Sequence, residues 1–216
     1  GAITQPMHAL SQSHLTHDIF NAHNGRLGGY GRTLVMGIVN VTPDSFSDGG
    51  AFYDSQTAIS HARRLADEGA DLLDIGGEST RPQAEPISAA EEWARVGPVL
   101  KEVIPLVPCP VSIDTYKAET ADRALSLGAR IVNDVWGLQH DPAMADVIAA
   151  HQASVVLMHN QRTIDPHLDI IDTVLRFLER SLTLANKAGI AMERIAVDPG
   201  IGFGKTLEQN VDLIAH

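Results

Sequence analysis

The feature that most restricts this chain is a regular alternation of short apolar runs with amphipathic stretches, repeated six times from residue 34 onward. The apolar runs 34–39, 72–75, 111–114, 131–133, 154–158 and 195–197 read as strands. Residues 55–68 read as a helix, with Ala58, Ile59, Ala62, Leu65 and Ala66 on one face and Gly69 past its end. A second helix opens at Ser88, which with Glu91 makes a capping box. Residues 117–127 form a third that stops at Gly128, and Asp141-Pro142 starts a fourth as N-cap and first-turn proline. Residues 169–188 form a long helix closed by Gly189, and a last one opens near Thr206. Strands that are apolar throughout are covered on both faces. Strict alternation then implies a parallel sheet with right-handed crossovers.

Two α/β architectures share that pattern, the doubly wound sheet and the (β/α)8 TIM barrel. Polar residues separate them. Asn40, Glu78, Asp114, Asn133, His159 and Asp198 each stand at or just past the C-terminal end of a different strand. An open sheet concentrates its site at one switch point, whereas a barrel gathers the loops of every strand around its top. The reading is therefore a barrel. Two further βα units would require about 60 more residues, so the expectation is a barrel cut short after its sixth strand, or a ring closed in an unusual way. Residues 34–216 form this barrel domain. Residues 1–33, with His8, His14, His17, His23 and a glycine cluster around Tyr30, read as an N-terminal extension or tag.

Charge and cysteine content bound the partners. With 16 Lys+Arg against 27 Asp+Glu the net charge is −11, which argues against nucleic acid or an anionic membrane as the main partner. No apolar run reaches membrane-spanning length. The single cysteine, Cys109, lies between two prolines and excludes an internal disulfide, which fits a reducing, cytoplasmic setting.

Three segments carry the chemistry. The eleven residues from Asn40 to Gly50 are longer than an ordinary βα turn and hold one aromatic, Phe46. The hydroxyls of Ser79 and Thr80, with Arg81 before Pro82, suit an anionic ligand. Asp114, Asn133 and Asp198 end three different strands, so a barrel aims them at one axis. Two carboxylates and a carboxamide suit a flat heterocycle with N–H and NH2 groups along one edge, and carboxylates there stabilise positive charge developing on the ring. The alternative is that all three merely cap helices. The run from Asp198 to Thr206 is neither a P-loop, because Pro199 replaces the required glycine, nor a dinucleotide fingerprint, because the third glycine comes one residue early. Its amides near a helix start still favour anions.

Residues 35–50 and 69–82, in this order and at this separation, closely resemble the two signatures of the dihydropteroate synthase family, and the match extends over residues 34–206. The family is a (β/α)8 barrel of folate biosynthesis that condenses 6-hydroxymethyl-7,8-dihydropterin diphosphate with 4-aminobenzoate, releasing pyrophosphate. The resemblance implies that Asp114, Asn133 and Asp198 bind the pterin, Met158 packs on it, and Asn40 helps hold Mg2+ and the diphosphate. It places Thr80 and Arg81 over the substrates, and Phe46, Pro82 and Phe203 around the aminobenzoate. Lys205 completes the expected substrate-binding set, with Asp114 and Arg81 as catalytic residues. A homodimer is implied for the full-length protein. The family's Ser-Arg-Lys segment on the seventh strand and Arg-x-His segment on the eighth have no counterpart here, so the 216 residues alone are expected to be nearly inactive. Two other readings share the acidic rim: a methyltetrahydrofolate:corrinoid methyltransferase and a non-catalytic pterin-binding paralogue.

Overall fold

The structure, a computed structural model, describes residues 34–42, 51–81 and 83–216, the first four of the 51–67 helix by backbone alone. The expectations on residues 1–33, on Phe46 and its loop, and on Pro82 lie outside the described residues.

Strands β1 (Met36–Asn40), β2 (Leu72–Gly76), β3 (Val111–Asp114), β4 (Ile131–Asp134), β5 (Ser154–Met158) and β6 (Ile195–Asp198) form one sheet. They alternate with α1 (Ala51–Asp67), α2 (Ala89–Leu106), α3 (Ala118–Leu127), α4 (Met144–Ala150), α5 (Ile170–Ala188) and α6 (Leu207–Ala215). All pairings are parallel and the order is β1-β2-β3-β4-β5-β6. A doubly wound sheet reverses its order at a switch point; this one runs in sequence order and curls. The Asn133 carboxamide of β4 donates to Asp74 Oδ2 of β2 at 3.2 Å, past the intervening β3. Leu34, Leu72, Ile131, Val156 and Ala196 likewise meet in one small apolar cluster inside the curl. The chain thus supplies six βα units of a TIM barrel.

The main core lies on the other face of the strands, under the helices. Val39, Leu73, Ile75, Ile113, Val132, Val155 and Leu157 are all fully buried there, against Ala58 and Ala62 of α1, Val96, Val99, Leu100 and Val103 of α2, and Ala121 and Ala124 of α3.

Helix ends show where local reading met tertiary context. The Ser88 hydroxyl accepts from Glu91 N at 3.1 Å, but the other half of the expected box is absent, because the Glu91 carboxylate turns to Arg95 at 3.0 Å. A complete box stands instead at Thr206 and Gln209. The start expected at Asp141-Pro142 is corrected: α4 opens at Met144, and Asp141 Oδ2 accepts the amide of Ala118, the first residue of α3, at 2.8 Å. Asp141 serves two helices: its Oδ2 caps α3, while its Oδ1 accepts Ala143 N at 3.0 Å in the turn that leads into α4.

Candidate functional site

Strand register decides which side chains share the inner face. Asn40 pairs with Gly76, Gly76 with Asp114, and Asp114 with Asn133. The same row continues through Val156 to Ala196, and Met158 pairs with Asp198 one step higher. Side chains alternate between faces along a strand, so Asn40, Asp74, Ser112, Asp114, Asn133, Met158 and Asp198 all face inward. Gly76 makes room among them. A Cβ there would come within 3.1 Å of both the Cβ and Oδ2 of Asp114.

Asp74 organises this face. Its carboxyl is buried and accepts from Ser112 Oγ at 2.5 Å and from Asn133 Nδ2 at 3.2 Å. Holding the Asn133 NH2 leaves its carbonyl oxygen as an acceptor for a ligand. Asp114 differs: among the described residues, no hydrogen bond reaches its carboxyl. Burial pushes Asp114 well above the usual carboxylate range, and the charges of Asp74, Glu92, Asp134 and Glu78 push the same way. Burial also raises Asp74, against the hydrogen bonds from Ser112 and Asn133. Two neighbouring carboxyls that resist ionising together form a site that waits for N–H donors or positive charge. Sequence reading passed over Asp74, because it stands inside an apolar run rather than at its end. Its signal was a charged residue within a strand expected to be covered on both faces.

The capping alternative fails for Asp114, Asn133 and Asp198. Ser88, Lys117, Ala143, Asp169 and Thr206 occupy the N-cap positions of α2 to α6. Asp198 closes a short turn, accepting from Gly200 N at 2.8 Å through one oxygen only. Lys205, buried, donates to the carbonyls of Gly200 at 2.6 Å and Phe203 at 2.9 Å, and burial lowers its pKa to about 8. These two hydrogen bonds shape the loop that presents Phe203. Gly200 lets this loop press against the His159 carbonyl, where a Cβ would collide with backbone. Thr80, Arg81 and Asn40 are exposed, while Met158 is buried at the end of β5.

His159 does not join the inner face. It lies on the helix side, edge-on to Phe177 of α5 at 4.9 Å, and burial lowers its pKa to about 4. Asp134 faces that side too, accepting the amides of Trp136 and Leu138 at 2.8 and 3.0 Å, with burial raising its pKa to about 6. Cys109 is buried and its thiol is pushed up by desolvation, as suits a packing residue. A groove of about 720 Å3 runs along α5 between Leu138, Pro142, Arg180 and Leu184. It lies on the helix side and meets none of the inward carboxyls.

The profile described as pterin binding enzyme matches residues 36–216. The chain belongs to the pterin-binding enzyme family. Within it, the chain is 49% identical over 180 residues to the dihydropteroate synthase of Bacillus subtilis (strain 168), a match covering 83% of this chain and 63% of that one. It therefore spans less than two thirds of that relative's length. Among solved structures, a dihydropteroate synthase from Clostridium difficile in the presence of pteroic acid is 48% identical, with a TM-score of 0.82 over 86% of this chain and 70% of that one. The Xanthomonas albilineans dihydropteroate synthase with 4-aminobenzoic acid is 46% identical, with a TM-score of 0.82 over 89% of this chain and 70% of that one.

Proposed function

We propose that this chain carries the pterin-binding part of a dihydropteroate synthase, which joins 6-hydroxymethyl-7,8-dihydropterin diphosphate to 4-aminobenzoate. The observation that carries the reading is the set of Asp74, Asp114, Asn133 and Asp198 on one inner face, with Asp114 accepting no hydrogen bond among the described residues and held above its ordinary pKa. Asp114, Asn133 and Asp198 accept from the amino-pyrimidine edge, and Asp74 fixes the Asn133 carboxamide in the accepting orientation. The bond between the pterin's methylene carbon and the diphosphate oxygen breaks. The bond to the arylamine nitrogen forms, pyrophosphate leaves with the bonding electron pair, and the nitrogen loses a proton. Positive charge on the pterin rises as the diphosphate departs, and the carboxyls beneath it lower that barrier. N–H donors from the ligand favour the carboxylate, so binding drives a proton off Asp114.

Asn40 fits a Mg2+ role. It offers one exposed oxygen on the same row as Asp114, and Mg2+ is ordinarily held by one or two protein oxygens with phosphate and water completing the shell. When bound, the ion offsets negative charge on the leaving diphosphate. Thr80 and Arg81 serve the anionic end of the substrate, Met158 the pterin face, and Phe203 the aminobenzoate. A cytoplasmic homodimer belongs to the same proposal.

Titration calorimetry with the pterin diphosphate and Mg2+, on wild type and Asp114→Asn, tests the reading. Micromolar binding that the variant loses, with heat that depends on the buffer's ionisation enthalpy, supports it. No binding by folded wild type overturns it. Corrinoid-dependent methyl transfer without pyrophosphate release would replace it with the methyltransferase reading.

A further inference from the structure

Lys117 occupies a position where local rules disfavour it. It is the N-cap residue of α3 and makes no side-chain cap bond, so a cation stands at the positive end of a helix. Other groups do the capping: Thr115 Oγ1 accepts the Lys117 amide at 3.1 Å, and Asp141 accepts that of Ala118. A residue that breaks a local preference while neighbours compensate marks a site with another role.

The Lys117 side chain shows that role. Its ammonium lies 2.9 Å from Glu78 Oε1, 3.6 Å from Glu92 Oε1 and 4.6 Å above the Tyr116 ring. The Glu92 side chain is 1% exposed, and Glu78 and Lys117 are 14% and 16% exposed. Thr115 Oγ1 donates to both Glu92 oxygens. Burial raises Glu92. It pushes Glu78 up as well, but hydrogen bonds from Tyr116, the Ile87 amide and Lys117 outweigh it and hold Glu78 low. The decisive contact is the last one on Glu78: Oε1 also accepts Ile87 N at 3.0 Å. Glu78 ends the β2 side of a loop and Ile87 stands just before α2, so this bond ties the loop at its neck. Between them Thr80 and Arg81 are exposed, and among the described residues their segment is joined by local hydrogen bonds, Arg81 N to Ser79 Oγ at 3.3 Å and Ala84 N to the Arg81 carbonyl at 3.1 Å. Where the neck sits therefore sets where those two side chains sit.

We propose that Lys117 is a positioning residue whose ammonium clamps Glu78 beside Glu92, fixes the neck of the Glu78–Ile87 loop, and so places Thr80 and Arg81 over the rim to meet the anionic end of the substrate. The inference rests on the pterin diphosphate reading for the ligand, though not for the clamp. Without the ammonium, a buried carboxylate loses its counter-charge and the pair at the neck repel each other.

Two measurements on the 216-residue chain test it, with Lys117→Met, Lys117→Arg and Glu78→Leu. The first is hydrogen exchange read by mass spectrometry. In Lys117→Met, amides of residues 79–87 should exchange at least about tenfold faster while those of β2 and β3 stay protected, and Lys117→Arg should recover part of the protection. Wild-type exchange of 79–87 in folded Lys117→Met overturns the clamp. If that variant fails to fold, Glu78→Leu, which removes the acceptor of both Lys117 and Ile87 N, reads the same neck, and unchanged exchange at Ile87 overturns it equally. The second compares ligands. Lys117→Met should weaken the pterin diphosphate about tenfold while 6-hydroxymethyl-7,8-dihydropterin without the diphosphate binds as to wild type, since the inner face is untouched. Equal loss of both ligands overturns the positioning role. A wild type that binds neither pterin refutes the functional reading instead, and leaves the clamp to the exchange result.

Discussion

On the helix side of the sheet, Leu73, Ile75, Ile113, Val132, Val155 and Leu157 are sealed from water by the helix layer. One residue away along the same strands, the inner side presents Asp74, Ser112, Asp114, Asn133 and Ser154. Among the described residues Ser154 Oγ is buried there without a hydrogen-bond partner, and a small apolar cluster gathers around Ile131. The contrast shows how a barrel divides its labour at the period of a strand. Apolar burial that stabilises the fold and polar burial that works against it occupy alternate positions, so chemistry accumulates on one face without dismantling the core on the other.

The sharpest way to break this division is to change adjacent residues of β3. Ile113→Ala should cost about 2–5 kcal/mol of unfolding free energy in a denaturant titration, while the folded fraction keeps wild-type pterin affinity. Asp114→Asn should do the reverse. Pterin affinity should fall on the order of 100-fold, from loss of a charged acceptor, with stability at neutral pH equal to wild type or higher, since a desolvated carboxyl has been removed. A variant that lost both properties at either position would merge the two faces into one.

His159 and Asp114 should also respond to pH in opposite directions, with Asp134 on the helix side following the direction of Asp114. His159, on the helix side, has its pKa lowered from 6.5 to about 4. Its unfolded form takes a proton that the folded form refuses, so stability is lost as pH falls from about 6.5 through about 4. Asp114 and Asp74 are raised from 3.8, so the stability of their protonated forms is present at low pH and lost as pH rises through their folded pKa values. Thermal unfolding across this range should show His159→Gln flattening the acid limb by about 1–3 kcal/mol and Asp114→Asn flattening only the other. The smallest effect is expected from Gly76→Ala. Its new methyl would press on the Asp114 carboxyl at 3.1 Å. Pterin affinity should fall about tenfold while the unfolding midpoint moves little, because adding a side chain to a strand offsets part of the crowding.

The order of elements was legible from residue types alone. Continuous apolar runs and helical periodicity are local signals, and six alternations leave few topologies that short right-handed connections permit. Much of the rim was legible too: Asn40, Asp114 and Asp198 each end a strand, and Asn133 stands one residue before the end of β4. What only the tertiary structure decided is whatever depends on residues distant in the chain. The second task of Asp141, capping α3 through Oδ2, was of this kind, since Ala118 is an amide it meets only in space. The side of the sheet taken by His159 depended on strand register, which places it one residue beyond the inward Met158. Asp74 became visible as the organiser of the site only when β2 and β4 curled close enough for its carboxylate to meet Asn133. Lys117 stands out only where Glu78 and Glu92 converge on it from other segments. Periodicity is encoded residue by residue, whereas register, curl and the pairing of buried charges exist only once separate strands have closed on one another.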